Sequence, residues 1–79
     1  MNMDIIELLE KFYKIELFYL KVGLHGETDP LQRNYTCQSF LQRCLGAAEL
    51  AEMCEADVKI IEDLFEKTKQ EIENLEKNY

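Results

Sequence analysis

Seventy-nine residues make one small domain, of a size that buries only roughly 60% of the surface its unfolded chain exposes. A hydrophobic fraction of 47% beside 32% charged residues argues against disorder, and no apolar run approaches the ~20 residues of a bilayer span. Sixteen acids against nine bases give a net charge of −7 and a pI near 4.6. That balance speaks against direct nucleic-acid binding, which depends on Lys and Arg neutralising phosphates.

The start, Met1-Asn2-Met3-Asp4, has no basic n-region and leads into a charged amphipathic pattern. It does not read as a signal peptide, and the expected compartment is the cytoplasm. A helix is predicted over residues 4–24. Ile5, Leu8, Phe12, Ile15, Tyr19 and Val22 step by three and four, and Ile6, Leu9, Tyr13, Leu17, Leu20 and Leu24 run beside them. Two such lines are wider than the ~100° stripe of an ordinary surface helix, so more than one neighbour is expected to cover them. Glu16 falls between the lines as a polar-in-core candidate, at the core edge or paired with a tyrosine hydroxyl or Arg43, because an isolated buried carboxylate is costly. Phe18 projects from the polar side and is a candidate contact for another chain.

Gly23 and Gly26 are expected to end this helix, with His25 placed to favour its C-terminal dipole. Asp29-Pro30 then reads as a helix start, an N-cap followed by proline at the first helical position, with Gln32 at the third. The second helix is predicted over residues 30–54. Asn34-Tyr35-Thr36 weakens its first turns, since Asn and Thr compete locally for backbone hydrogen bonds, and a kink is expected there. Its buried stripe is Cys37, Phe40, Leu41, Cys44, Ala47, Ala48 and Ala51, small-faced from Cys44 onward. Such a face lets neighbouring backbones come close and places this helix between two partners.

Three cysteines spaced Cys37-x6-Cys44-x9-Cys54 match no zinc pattern and read as free thiols acting as small hydrophobes. The downstream stripe, Val58, Ile61, Phe65, Thr68, Ile72, Leu75 and Tyr79, is out of phase with that of helix 2. A tight turn at Glu55-Ala56-Asp57 and a third helix over residues 58–77 follow, with Asp57 as its cap. The predicted fold is all-α, a single antiparallel three-helix bundle (up-down-up). An alternative keeps helices 2 and 3 nearly collinear and completes the fold by homodimerisation.

No catalytic, cofactor-binding or metal-ligating set emerges. There is no glycine-rich phosphate loop, no Glu-x-x-His pair, and the only histidine has no ligand at suitable spacing. Enzymatic activity is not expected. The leading reading is a small acidic regulatory or interaction protein, working through a homodimer and an unidentified protein partner. Gly46, Leu50 and Met53, on the side of helix 2 away from its stripe, are the interface candidates beside Phe18. Two alternatives compete. One is an acidic nucleic-acid mimic of the phage or mobile-element type, using Glu49, Glu52, Glu55, Asp57, Glu62, Asp63 and Glu66. The other is a bundle holding a small molecule among Tyr13, Tyr19, Tyr35 and Glu16.

Overall fold

A computed structural model describes residues 4–78; Met1 to Met3, and Tyr79 at the end of the predicted third stripe, lie outside the described residues. The chain is an antiparallel three-helix bundle: α1 spans Ile5–Leu24, α2 Pro30–Met53 and α3 Val58–Lys77. Each helix packs on both others, and the bundle measures 42 × 22 × 15 Å.

All three helices begin on an aspartate. Asp4, Asp29 and Asp57 sit in extended backbone, and their carboxylates accept from Ile6 N, Leu31 N, and both Lys59 N and Ile60 N, respectively. These bonds satisfy donors that have no partner within the helix. The ends differ. Gly23 does not terminate α1; it lies inside the helix, where an added Cβ would meet Thr36 Cγ2 at an ordinary 3.8 Å. The stop is Gly26, whose φ of 77° turns the chain into the left-handed region. At the end of α2, Glu55 takes that region with φ 62°. Ala56 N donates to Ala51 O and Glu55 N to Glu52 O, the two bonds of a Schellman motif with glutamate where glycine is usual. This turn separates α2 from α3 and removes the collinear arrangement.

The weak stretch Asn34-Tyr35-Thr36 does not break the helix: α2 runs without a restart from Pro30 to Met53. Tertiary bonding outweighs weak local propensity there. Asn34 Nδ2 donates to Glu76 Oε2 at 3.1 Å, and Arg33 and Cys37 on either side are buried.

The core is narrow. Leu20, Ile61, Cys37 and Cys44 are fully enclosed, joined by Leu9, Tyr13, Leu24, Ala48, Ala51 and Ile72. The small face of α2 thus lies between α1 and α3, with Phe40, Leu41 and Ala47 half-buried at its margins. Cys54 departs from the expected core role of the cysteines; it caps α2 and is exposed. Val58 is likewise exposed, at the first turn of α3, where the neighbouring helix has already ended.

Arg33 organises one end of the bundle; it lies one turn before Cys37 on the buried stripe of α2, where the period alone would place an apolar residue. It is 3% exposed. Nε donates to Glu76 O, Nη1 to Leu24 O and Glu27 O, and Nη2 to Leu75 O and Asn78 O. Those five bonds equal the donor inventory of a guanidinium. The carbonyls belong to the last turn of α1, the loop after it, and the last turn of α3 with its cap Asn78. Both helices end at the first turns of α2, so the cation lies where two negative dipole ends converge. A carbonyl cage compensates the buried charge.

Candidate functional site

Glu16 is buried between the two apolar lines of α1, at 9% exposure, rather than resting at the surface. Arg43 Nη1 donates to its Oε2 at 3.3 Å. Arg43 itself is more than half exposed and stacks over the Phe40 ring at 4.9 Å, so one cation covers both a buried carboxylate and an aromatic face. One turn earlier, the Tyr13 hydroxyl donates to Cys44 O at 3.0 Å. Burial pushes the Tyr13 hydroxyl pKa well above its usual value, with Cys44 adding to the effect. Burial also raises the Cys44 thiol to about 11, reinforced by the Glu16 charge and opposed by Arg43. Cys37 is raised too, first by burial and then by Glu76, with Arg33 opposing. Both thiols are therefore protonated at neutral pH and poor nucleophiles.

The apolar line of α1 that begins at Ile5 is not covered as its width led one to expect. Leu8, Ile15, Tyr19 and Val22 are all exposed, because α2 and α3 together enclose only the side of α1 carrying Leu9, Tyr13, Glu16, Leu20 and Leu24. With small residues on α2, no side chain among the described residues reaches across to that line. What results is an apolar groove of about 500 Å³ between α1 and α2, lined by Ile5, Leu8 and Phe12 on one wall and Ala47, Leu50 and Ala51 on the other. Arg43, Gly46 and Cys54 complete its border.

The predicted interface residues divide. Gly46 and Leu50 form the α2 lip of this groove, so their patch is continuous with the open face of α1. Met53 is exposed beyond the groove lining. An added Cβ at Gly46 would meet nothing within 4 Å. Phe18 is exposed at the far end of α1, edge-on to Tyr19 with ring centroids 5.7 Å apart, and borders a shallow hollow with Lys21, Val22 and His25. It does not join the groove.

The small-molecule cluster is not assembled. Tyr13 and Glu16 are buried and committed to Cys44 O and Arg43, whereas Tyr19 and Tyr35 point to solvent from different helices. The acids from Glu49 to Glu66 are exposed, but Lys59 stands among them and pairs with Asp63 at 3.9 Å. Among the described residues, no three His, Cys, Asp or Glu side chains are grouped to hold a metal ion, and no helix is long and apolar enough to cross a membrane. Sequence reasoning missed Arg33 as a buried residue, and Leu31 and Tyr35 as surface apolar residues. A warning was present in α2 itself, which carries apolar residues on more than one side. Comparison with protein-family models, curated proteins and solved structures finds no match.

Proposed function

We propose that this chain is a small, non-enzymatic interaction and regulatory protein whose working surface is the open α1–α2 face, engaged by protein, its own copies included. The observation that carries the reading is the apolar groove itself. Leu8 and Leu50 line opposite walls of it, and both are exposed, with no side chain among the described residues covering them. A small domain short of core leaves such a surface exposed at a cost in solubility, and docking a partner recovers the burial.

The polar chemistry supports the same direction. Tyr13, Glu16 and Arg33 are each bonded from one helix to another, and the two buried thiols are enclosed in the core, which leaves the groove with hydrophobic contact as its chief means of recognition. The test compares wild type with Leu8→Glu as immobilised bait, each washed at low and at high salt. Apolar docking predicts protein partners that survive high salt and are lost with Leu8→Glu, while circular dichroism shows both baits equally helical. Partners released by salt and indifferent to Leu8→Glu would instead identify an acidic mimic, because charge-driven contacts are screened. A small molecule in native mass spectra, with no protein retained, would identify a ligand-binding bundle.

A further inference from the structure

The outer face of α2 is unusual for a chain of this charge. Between Pro30 and Met53 the exposed charged residues are Arg43, Glu49 and Glu52, while α3, four residues shorter, exposes Glu62, Asp63, Glu66, Lys67 and Glu71 among others. Along that face Leu31, Tyr35, Ser39, Gln42, Gly46 and Leu50 follow one another in steps of four, four, three, four and four, so they form one helical stripe. Every one of them is exposed, Leu31 at 81%, Tyr35 at 71% and Leu50 at 64%. None carries a charge.

The stripe is self-complementary when reversed. We propose that a second copy of this chain docks here, α2 antiparallel to the partner's α2 about a two-fold axis level with Phe40 and Leu41. In that register Leu31 lies opposite the partner's Leu50, Tyr35 opposite the partner's Gly46, and Ser39 opposite the partner's Gln42. The largest side chain of the stripe thus meets the position that has none, where the space above Gly46 is open. A two-fold contact uses each such pairing twice.

Charge selects this face over the others. Two chains of net charge −7 repel on approach, and a like-charge-free surface minimises that repulsion. The same register sets Arg43 opposite the partner's Gln38, and Glu49 opposite the partner's Gln32, so the charges beside the stripe face uncharged residues, and Glu52 alone comes level with a like charge, the partner's Asp29, at the ends of the contact. The area is adequate as well. A standard interface covers roughly 800 Å² on each partner, and a 24-residue helix with the groove beside it is a strip of about 36 by 20 Å.

This inference rests on the α1–α2 face being an interaction surface, and it adds the occupant and the register. Leu31→Cys and Leu50→Cys are made in separate chains that also carry Cys54→Ser, then mixed and mildly oxidised. The register predicts a disulfide-linked dimer from the mixture and little from either chain alone, since like positions lie about 28 Å apart along antiparallel helices. In parallel, sedimentation equilibrium follows a size exchange. Gly46→Leu, whose added Cβ meets nothing in its own chain, is expected to weaken the dimer at least ~10-fold, and adding Tyr35→Ala to recover most of the loss. Cross-linking by Leu31→Cys alone, or Gly46→Leu without effect, overturns the register. A wild type that stays monomeric at high micromolar concentration overturns the second copy as occupant, while loss of another protein partner through Leu8→Glu would leave the interaction surface itself standing.

Discussion

A guanidinium with its donors spent on helix ends has a cost when removed that few other residues here would match. Arg33→Met takes the guanidinium from five carbonyls; Leu24 O and Leu75 O keep the backbone N–H groups of Glu27 and Asn78, while Glu27 O, Glu76 O and Asn78 O lose their donor. The expected loss is about 2–4 kcal/mol, read as a lower urea midpoint with unchanged slope. Arg33→Lys should recover only part, because an ammonium offers three donors from one point and cannot span both helix ends. A lysine variant as stable as wild type would show that charge alone, not the fork, does the work. Glu55 is the converse case. With φ at 62° a Cβ is strained, so Glu55→Gly should raise stability by about 0.5–1 kcal/mol; a decrease would mean that the glutamate side chain makes a contact worth more than the strain.

Cys44 ties a single residue to pH. Its thiol sits near 11 in the folded chain against an ordinary 9.0. Between those values the unfolded chain has released this proton while the folded chain still holds it. Stability therefore falls as pH rises above about 9 and finishes falling once the folded value is passed. Tyr13, raised in the same direction, extends the loss to higher pH. Urea melts from pH 7 to 10.5 should show the decline, and Cys44→Ala should make it shallower, with Cys37 and Tyr13 supplying the remainder, even though that variant starts from a lower stability. At neutral pH a bulky alkylating reagent should label Cys54 quickly and leave Cys37 and Cys44 until the chain unfolds.

At the scale of the helices, the caps decide where each element begins. Asp57 holds two backbone donors of α3 where Asp29 holds one of α2. Replacing either by Ala should cost about 1 kcal/mol and lower the melting temperature by several degrees, Asp57 the more. An unchanged curve for Asp29→Ala would place the effective start of α2 at Arg33, whose carbonyl cage would then be nucleating the helix. The two faces of α1 show how an element's pattern can exceed its neighbours. Both lines have helical spacing, but only the side bearing Leu9, Tyr13 and Leu20 finds α2 and α3 opposite.

For the whole molecule, a single charge balance separates two ways of meeting a partner. A chain of net charge −7 that self-associates through an uncharged face is opposed by long-range repulsion, which salt screens within about 10 Å at 0.1 M. Sedimentation equilibrium should therefore show the association tightening severalfold as ionic strength rises from low to near-molar values. Weakening with salt would mean that ion pairs, not the Leu31–Leu50 stripe, make the contact.

Much of this architecture is legible in the residues alone. Period and phase read out three helices, because buried stripes must recur every three or four residues and the slip between Ala51 and Val58 cannot be carried by one straight helix. The caps Asp29 and Asp57 were legible for a similarly local reason, backbone donors two or three residues further along the chain. What tertiary structure alone decided lies where one side chain answers to several elements at once. Arg33 belongs to the core only because the ends of α1 and α3 arrive beside the start of α2. Glu16 is buried only because Arg43 stands across from it, and the first line of α1 is open only because the α2 face opposite is too small to fill the gap. Helical period reports which residues share a face, whereas burial depends on what stands opposite that face, and no spacing along one helix encodes its neighbour's shape.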